Sequence, residues 1–554
     1  MIKEFKPLNV LALLLFSIIS LSFAASRSSS SQFEISKNLD IFATMFKELD
    51  MYYVDEVDPE KLIRTGIDAM LNSLDPYTTF YSEEDMEGYR MQTTGKYGGI
   101  GALIRRTDDY VIISEPYEDF PAFKAGLIAG DKILEIDGVP AKGKSTDEVS
   151  KMLKGKPGTS VELTIERFGD GNPIVKNLTR DEVKIKNVPY YGLLEDKKTG
   201  YIRLGNFTED CSKEVSNALK ELKKTHNIES VVLDLRGNPG GLLNEAISVA
   251  NIFVDKGQEI VSTKGRKQEW SNSYKSKQVP VDLEIPLAVL VDRGSASASE
   301  IVAGVIQDLD RGIIIGQRSF GKGLVQTTKV VGYNSKVKLT TAKYYLPSGR
   351  CIQAIDYSGG YNDNLEKISD TLRTAFKTKN GRKVYDAGGV DPDIKTELDT
   401  YANISQSLMG KQLIFLYVNE YRLNHPTIPT PDKFELVQAD YDDFVKFVGD
   451  KDYDYTTSSE RLLKDLEDSA KEEKYLEVIQ EDLDNLTSKI KHDKQKDLYK
   501  FQEEVEQLLE YEIVSRYFYQ TGRIQESLED TKEIKAALEV FADADKYKQL
   551  LKGN

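Results

Sequence analysis

At residues 231–241 the chain reads Val231-Val232-Leu233-Asp234-Leu235-Arg236-Gly237-Asn238-Pro239-Gly240-Gly241. The first five residues are mostly apolar, and a turn rich in glycine follows them directly. A short apolar run bounded by glycine and proline predicts a buried strand that ends in a turn. The residues at 243–253 then predict a helix. This segment is typical of one strand–helix step in an α/β fold.

Further strands and helices alternate on both sides of this segment. Strands are predicted at 201–204, 287–291 and 313–315, and helices at 213–224 and 299–309. Because helices between buried strands imply a layered domain, we predict an α/β (α+β) core over residues 185–396. Residues 356–398 are predicted to be a loop-rich return to this core.

Residues 95–170 contain short runs with β-strand character. The runs lie at 111–113, 132–136 and 161–165, and a helix is predicted at 146–153. This region resembles a PDZ domain. The resemblance rests on three stretches, Pro121-Ala122-Phe123-Lys124-Ala125-Gly126-Leu127, Gly130-Asp131-Lys132-Ile133-Leu134 and Ile136-Asp137-Gly138. A PDZ domain holds an extended peptide C-terminus by adding it as a strand to a sheet edge.

The PDZ resemblance also implies a binding loop. It identifies Tyr97-Gly98-Gly99-Ile100-Gly101 as the loop that binds the peptide carboxylate, and Ile100, Ala102 and Leu103 as lining of the groove. Glycines let successive backbone N–H groups converge on an anion, which agrees with this role. The alternative for a glycine-rich loop is a plain turn.

The N-terminus has the pattern of an export signal. Lys3 and Lys6 precede an apolar stretch at 8–21, and Ser22-Phe23-Ala24 places small residues where cleavage would occur. The stretch is short for a membrane span, which needs about 20 residues. We predict a signal peptide over residues 1–25 and a mature protein in the periplasm or cell envelope. An uncleaved membrane anchor is the alternative.

Residues 33–92 predict a small helical arm. Apolar residues recur there at helical spacing, namely Phe42, Met45, Phe46, Leu49, Leu62, Ile63, Ile67, Met70 and Leu71. Pro76 should end the second helix, because proline disfavours a helical conformation at the residue before it. Pairing of two chains through these helices, to form a homodimer, is the functional interpretation.

Residues 400–554 predict a charged helical extension. One apolar stripe consists of Leu462, Leu463, Leu466 and Ala470, and another of Phe501, Val505, Leu508 and Leu509. A structural helical domain with solvated charged faces is the plain interpretation. Partner binding or substrate gating is the alternative.

Composition excludes some functions. The net charge of −16 over 554 residues argues against nucleic acid as a partner, because phosphate binding needs basic patches. Cys211 and Cys351 are the two cysteines, and they either form one disulfide or remain buried thiols. The sequence contains no cluster of metal ligands, and we expect neither a metal nor another cofactor.

The stretch Gly294-Ser295-Ala296-Ser297-Ala298-Ser299-Glu300 offers a nucleophile. Ser297 and Glu300 have the spacing of a helix capping box. A serine at a helix N-terminus lies where the dipole stabilises a developing oxyanion. The amide of Ala298 and that of Gly240 or Gly241 are candidate donors to it. A simple helix cap is the alternative interpretation.

Lys322, between Gly321 and Gly323, offers a base. The three histidines, His226, His425 and His492, lie outside any serine-hydrolase motif. Serine–lysine catalysis is a known variant, but the lysine pKa must fall from about 10.4 toward 7–8. Desolvation or a nearby cation would lower it, and Gln326 could orient the amine. An exposed turn lysine is the alternative.

Together these motifs resemble the C-terminal processing peptidases, also called tail-specific proteases. The matching frames are Tyr97-Gly98-Gly99-Ile100-Gly101, Asp234-Leu235-Arg236-Gly237-Asn238-Pro239-Gly240-Gly241, the serine stretch above and Phe320-Gly321-Lys322-Gly323. The resemblance covers roughly residues 35–396 and implies a crotonase-like, Clp-protease-like core with an inserted PDZ domain. It implies Ser297 as nucleophile, Lys322 as general base and Gln326 as the residue that positions the lysine. It also implies an oxyanion hole from Ala298 and a glycine of the 240–241 pair.

The leading hypothesis is therefore a serine endopeptidase. It would bind protein or peptide substrates with exposed, mostly apolar C-termini at the PDZ groove and cut through an acyl-enzyme. A catalytically silent PDZ scaffold or chaperone for envelope proteins is the second hypothesis. A small-molecule esterase or amidase is the third, and the PDZ frame argues against it.

Overall fold

The structure is a computed structural model that describes residues 32–361, 365–398, 400–490, 494–528 and 531–553. The signal peptide predicted over 1–25 lies outside these residues. These described residues form two compact units, divided between Phe80 and Tyr81. Within the described ranges, no helix is both long enough and apolar enough to span a bilayer.

The first unit contains helix α1 at 32–52 and helix α2 at Pro59–Asn72. Helix α2 begins where Asp58 accepts the Lys61 N–H at 3.1 Å and Pro59 occupies the first turn. Strand β1 (Thr79–Tyr81) follows, so the helical prediction for 33–92 is wrong at this point. The Asp75 carboxylate accepts two backbone N–H bonds at 2.8 Å, from the second and third residues after it, and this turns the chain.

The next region is β-rich and has its own core. Its elements are α3 (Met86–Thr94), β2 (Lys96–Gly99), β3 (Ala102–Thr107), β4 (Tyr110–Pro116), α4 (Pro121–Lys124), β5 (Lys132–Ile136), β6 (Val139–Pro140), α5 (Thr146–Leu153), β7 (Ser160–Glu166), β8 (Pro173–Thr179) and β9 (Asp181–Lys184). The main sheet has the order β3-β4-β5-β7-β8, with β6 on β5, while β2 pairs with β9. Val161, Leu163 and Ile165 are fully buried at the spacing of two that a strand requires.

The largest core surrounds a six-stranded sheet. The elements of this region are β10 (Tyr190–Leu193), β11 (Thr199–Arg203), α6 (Cys211–His226), β12 (Ser230–Asp234), α7 (Leu243–Ala250), β13 (Glu259–Gly265), β14 (Asn272–Lys275), β15 (Leu287–Val291), α8 (Ala298–Asp308), β16 (Ile313–Gly316), β17 (Leu324–Gly332), β18 (Ser335–Tyr345), β19 (Ala375–Lys377), β20 (Lys383–Tyr385) and β21 (Ile394–Lys395). The sheet has the order β10-β11-β12-β15-β16-β21, and all of its pairs except β10–β11 are parallel.

This strand order places three loops side by side. Strands β12, β15 and β16 are consecutive neighbours in the sheet, and parallel strands end at the same edge. The loops that follow them begin at Leu235, Asp292 and Gln317. The hairpin of β17 and β18 lies beside them and pairs with β13, which in turn pairs with β14. The glycine-rich turn at 237–241, the serine stretch at 294–300 and the lysine loop at 320–323 therefore meet at one edge of this sheet.

The C-terminal region is helical. Its helices are α9 (Asn403–Gly410), α10 (Leu413–Asn424), α11 (Gln438–Val448), α12 (Ser458–Glu472), α13 (Leu476–Ile490), α14 (Lys494–Lys500), α15 (Gln502–Glu526), α16 (Lys532–Phe541) and α17 (Ala544–Leu550). Val505 and Leu509 are fully buried in its core, together with α9, α10 and α11. In the other predicted stripe, Leu462 and Leu466 are exposed.

Helix α16 covers a face of the six-stranded sheet. Helices α6, α7 and α8 share one apolar cluster with residues of β11, β12 and β15. Ile534, Ala537 and Val540 of α16 share a different cluster with Val232, Ala288, Leu290, Ile313 and Ile315 of the same sheet. Because neighbouring residues of a strand point to opposite faces, the two clusters lie on the two faces of the sheet.

The C-terminal helices also contact the β-rich region. The Phe415 ring is buried between two guanidinium groups, those of Arg105 at 3.4 Å and Arg516 at 4.2 Å from the ring centre. Arg523 of α15 pairs with the buried Glu115 of β4 at 2.9 Å. Cys211 and Cys351 are free thiols, and burial raises the pKa of both.

Candidate active site

The three adjacent loops line a cavity of about 770 Å³. The strand order explains why residues far apart in sequence meet there. Six predicted site residues line this cavity, namely Gly240, Gly241, Ser297, Ala298, Lys322 and Gln326. Apolar side chains of Leu242, Leu243 and Ile301 line it as well. The cavity can therefore accept an apolar group beside a set of polar ones.

The three serines of the Ser-Ala-Ser-Ala-Ser stretch have different environments. Ser295 is fully buried, and its hydroxyl donates to the Leu235 carbonyl at 2.8 Å. Ser299 is also fully buried and donates to the Asn238 carbonyl at 2.9 Å. Both hydroxyls join the serine loop to the loop after β12. Ser297 is half-buried and lines the cavity.

Ser297 has an uncommon backbone conformation. Its φ is 54° and its ψ is −109°, in a region that residues with a side chain rarely adopt. Gly240 packs directly against it, since a Cβ on that glycine would lie 2.9 Å from the Ser297 Cβ and 2.6 Å from the Ala296 carbonyl oxygen. The close approach of the two loops therefore requires a glycine at position 240.

Glu300 connects the serine loop to the lysine loop. Its carboxylate is fully buried and accepts the N–H of Ser297 at 2.8 Å. From the lysine loop it accepts the N–H of Gly321 at 2.7 Å and that of Lys322 at 2.9 Å, and the Ser319 hydroxyl at 2.6 Å. Burial raises the pKa of Glu300 from 4.5 to about 7, although these hydrogen bonds lower it.

Lys322 is held through its backbone. In addition to its N–H bond to Glu300, its carbonyl oxygen lies 2.7 Å from the Tyr344 hydroxyl, which donates to it. That hydroxyl is also 3.2 Å from the Ser297 carbonyl oxygen. Burial raises the pKa of Tyr344, so the hydroxyl keeps its proton. The Lys322 side chain is half-buried at the cavity wall and is not an exposed turn lysine.

Gln326 lies at the start of β17. Its side-chain amide donates from Nε2 to the Thr340 hydroxyl at 3.3 Å. This bond leaves Oε1 to accept from another donor. The sequence prediction that Gln326 orients Lys322 stays a prediction.

The amides near Ser297 differ in their hydrogen bonding. The Gly240 N–H donates to the Asn238 side chain at 2.9 Å. Among the described residues, the amides of Gly241 and Ala298 have no hydrogen-bond partner. Ala298 is the first residue of α8, so its amide contributes to the positive end of the helix dipole. These two N–H groups can donate hydrogen bonds to an anion at the cavity.

The predicted PDZ loop lies in the β-rich region. Tyr97, Gly98 and Gly99 belong to β2, and the Gly98 N–H donates to Glu87 Oε1 at 2.9 Å. Ile100 is buried in the core of this region, whereas Ala102 is half-buried and Leu103 is 43% exposed on β3. Gly101 has a φ of 74°. Strand β3 is an edge of its sheet, which is the position that strand addition requires.

Sequence reasoning missed several residues that organise the site. The S-x-x-E spacing predicts Glu300 as a helix cap and contains no information on the lysine loop. Asn238 holds the loop after β12 against Leu204, the residue that follows β11, since its Nδ2 donates to the Leu204 carbonyl at 2.8 Å and its Oδ1 accepts from Gly240 of its own loop. Tyr344 follows Lys322 by a whole hairpin, and no motif identifies it.

Comparisons with known proteins identify the families that the regions of this chain resemble. The chain matches the models of peptidase family S41 at residues 198–360, of the PDZ domain at 112–167 and of the probable PDZ-protease C-terminal helical domain at 404–541. It is 42% identical over 322 residues to a carboxy-terminal-processing protease of Bartonella bacilliformis. The aligned residues make up 58% of this chain and 73% of that protein.

Two further matches are similar in extent. A probable CtpA-like serine protease of Staphylococcus aureus is 32% identical over 361 residues, or 65% of this chain and 70% of that protein. The solved photosystem II D1 C-terminal processing protease is 30% identical with a TM-score of 0.35, covering 64% of this chain and 92% of that one.

These findings define the class of the protein as a serine-type peptidase with a PDZ domain and a C-terminal helical domain. The chain belongs to the family of carboxy-terminal processing proteases, within peptidase family S41.

The buried Glu300 carboxylate predicts a specific pH dependence of stability. Its pKa is about 7 in the folded protein, whereas the ordinary value, which applies to the unfolded chain, is 4.5. Between pH 4.5 and pH 7 the folded state therefore binds more protons than the unfolded state. Stability from this group is therefore present below pH 4.5 and decreases as the pH rises to about 7. In Glu300→Gln the side chain is a neutral amide that does not titrate, so its contribution to stability does not change with pH.

We expect the stability of wild type relative to Glu300→Gln to fall by about 3 kcal/mol over this pH range. Urea unfolding of both proteins at several pH values measures the difference. A difference that stays constant between pH 4.5 and 7 would contradict the buried, proton-binding carboxylate.

Proposed function

We propose that the protein is an endopeptidase that cuts by a serine–lysine acyl-enzyme mechanism. The observation that carries this proposal is that the three serines of the serine stretch have different environments. The hydroxyls of Ser295 and Ser299 hold loops together, whereas Ser297 lines the cavity that Lys322 and two unpartnered amides also line. This set provides a nucleophile, a base and an oxyanion site.

The chemistry then follows from these positions. Neutral Lys322 takes the proton of the Ser297 hydroxyl as its Oγ attacks the peptide carbonyl carbon. The negative carbonyl oxygen of the tetrahedral intermediate is stabilised by the N–H groups of Ala298 and Gly241. The ammonium of Lys322 returns the proton to the leaving amine, and the C–N bond breaks. Water activated by Lys322 then hydrolyses the ester on Ser297.

Gln326 is proposed to position the lysine. Its Nε2 is engaged by Thr340, so Oε1 is the atom that would accept a hydrogen bond from the amine. For the oxyanion hole we propose Gly241 over Gly240, because the Gly240 amide donates to Asn238.

Substitution of the two central residues tests the mechanism. On an unfolded protein substrate with an apolar C-terminus, we expect Ser297→Ala to lose about 10⁴-fold or more in kcat/KM. Lys322→Ala should lose roughly 10²–10⁴-fold, the usual contribution of a general base. Ser273→Ala and Lys275→Ala, both exposed on β14, are the matched controls and should keep wild-type activity.

A fluorophosphonate adduct identifies the nucleophile directly. Trypsin should release residues 294–311 as one peptide that contains all three serines. Fragmentation of this peptide should place the adduct on Ser297. An adduct on Ser295 or Ser299, or full activity of Ser297→Ala, would contradict the proposal. A folded protein without labelling or cleavage would favour the PDZ scaffold.

We further propose that β3 binds the substrate C-terminus. The support is that β3 is a sheet edge and that α5 packs on the same core through Val149 and Leu153. The groove between an edge strand and a helix is the site that strand addition uses, and the loop at Tyr97–Gly101 would hold the carboxylate. The apolar core beside it suits an apolar C-terminal side chain.

Substrate tails test this binding. We expect a substrate with a free apolar C-terminus to have a KM about tenfold lower than the same substrate ending in two aspartates, which corresponds to about 1.4 kcal/mol. Leu103→Asp on β3 should remove this preference. Val175→Asp, at an exposed apolar position on the opposite edge strand β8, is the control. Equal effects of the two variants would refute the role of β3.

Export and pairing of chains are further proposals. The basic, apolar and small-residue pattern of residues 3–24 supports export to the periplasm or envelope. A homodimer through the N-terminal helices is supported by exposed apolar side chains on α1, namely Phe33, Leu39, Phe42 and Met45. Cell fractionation with N-terminal sequencing tests the first, and separates cleavage from an uncleaved anchor. Sedimentation of wild type and Phe42→Asp tests the second, and a wild-type monomer at micromolar concentration would refute it.

A further inference from the structure

A carboxylate from the C-terminal helical region reaches the loop after β12. Glu533, the second residue of α16, is 6% exposed and accepts a hydrogen bond from Arg236 Nη1 at 2.9 Å. Its other oxygen accepts the hydroxyl of Thr396. Arg236 is the second residue of the loop after β12, which continues to Gly240 and Gly241.

Arg236 is fixed on several sides. Its Nη2 donates to Asp234 at 2.6 Å, and its own backbone N–H donates to the other oxygen of that carboxylate at 2.8 Å. Its carbonyl oxygen accepts from Arg203 Nη2 at 2.6 Å. The side chain, the N–H and the carbonyl of one residue are therefore all held at the start of the loop.

The charges explain why a second carboxylate is needed. Arg203 and Arg236 both pair with the buried Asp234, at 2.7 and 2.6 Å. Burial alone would raise the pKa of Asp234, but the two arginines hold it well below its usual range. Two cations against one carboxylate leave an excess positive charge in a largely buried cluster. Glu533 balances this charge, and an unbalanced buried charge is destabilising.

The loop after Arg236 depends on such anchors. Gly237, Gly240 and Gly241 have φ values of 64°, 96° and 152°. Glycines have little conformational preference of their own, so the groups that hold the two ends of the loop decide where its amides point. Asn238 holds the middle through its bonds to Leu204 and Gly240. Arg236, with Asp234 and Glu533, holds the start.

We propose that Glu533 is a positioning residue of the peptidase site, which acts through Arg236 on the loop that offers the Gly241 amide to the oxyanion. This inference rests on the proposed function, because it assigns Gly241 a role in the serine–lysine reaction. Glu533 itself does not touch the substrate. The C-terminal helical region then contributes to catalysis, in addition to covering the sheet.

The test uses the full chain with Glu533→Gln, which keeps the size and removes the charge. We expect kcat to fall about tenfold and KM to stay within twofold of wild type. The loss in kcat should be smaller than the loss of about 10²–10³-fold that follows removal of an oxyanion donor. The affinity for a peptide aldehyde, whose adduct places an oxyanion in the same site, should fall by a similar factor. Binding of uncleaved substrate to Ser297→Ala/Glu533→Gln should match that of Ser297→Ala. Glu533→Asp should recover part of the loss.

Two controls separate positioning from stability. Glu539→Gln is an exposed substitution on the same helix and should change nothing. Ile534→Ala removes packing beside Glu533 and should lower the Tm, while kcat of the folded enzyme stays within twofold. If Glu533→Gln lowers the Tm but leaves kcat and aldehyde affinity unchanged, Glu533 is structural and the inference is overturned.

The outcomes also distinguish this inference from the proposed function. A wild-type enzyme that labels at Ser297, with Glu533→Gln cutting and binding aldehyde at the wild-type level, refutes only the role of Glu533. A wild-type enzyme that is not labelled at Ser297 refutes the proposed function, and the role of Glu533 with it.

Discussion

The buried carboxylate of Glu300 is the group on which the geometry of the site depends. One of its oxygens accepts from Ser297 and Lys322, and the other from Ser319 and Gly321. Removing a carboxylate from water is unfavourable unless donors replace the water. The serine and lysine loops supply these donors, so neither loop can move away without leaving a buried acceptor unpaired. The distance between the two loops is thereby tied to the packing of the core.

This constraint also explains how Ser297 keeps an unfavourable backbone conformation. A residue with a positive φ persists only where its surroundings determine it from several sides. Glu300 holds the N–H of Ser297, α8 begins at the next residue, and Gly240 fills the space against its Cβ. The same contacts that strain the serine place it at the cavity wall. Ser295 and Ser299 support it, since their hydroxyls fasten the serine loop to the loop after β12.

Local patterns in the sequence predicted the local structure well. Helix α5 has the predicted bounds, and the predicted runs at 111–113, 132–136 and 161–165 all lie in strands. The S-x-x-E spacing also found the bond between Glu300 and the Ser297 N–H. What it could not reveal is the second half of the Glu300 contacts, because the lysine loop comes from the neighbouring strand β16. Pairing of strands is a tertiary fact, and spacing along the chain does not encode it. The charge cluster of Arg203, Asp234, Arg236 and Glu533 was missed for the same reason.

The central strands are apolar and need cover on both faces of the sheet, and the distant C-terminal region covers the second face. Strands β12, β15 and β16 are apolar almost throughout, which is typical of parallel strands covered on both faces. Helices α6, α7 and α8 cover one face, and they are the α-helices that the structure describes between residues 185 and 361 and between 365 and 396. Ile534, Ala537 and Val540 of α16 cover the other face, and Tyr547 of α17 bonds the Leu287 N–H at 2.9 Å. The charge and helical periodicity of residues beyond 400 separate them from the peptidase core in sequence. The packing joins them, because a sheet with one apolar face open to water would lose the burial that stabilises its strands.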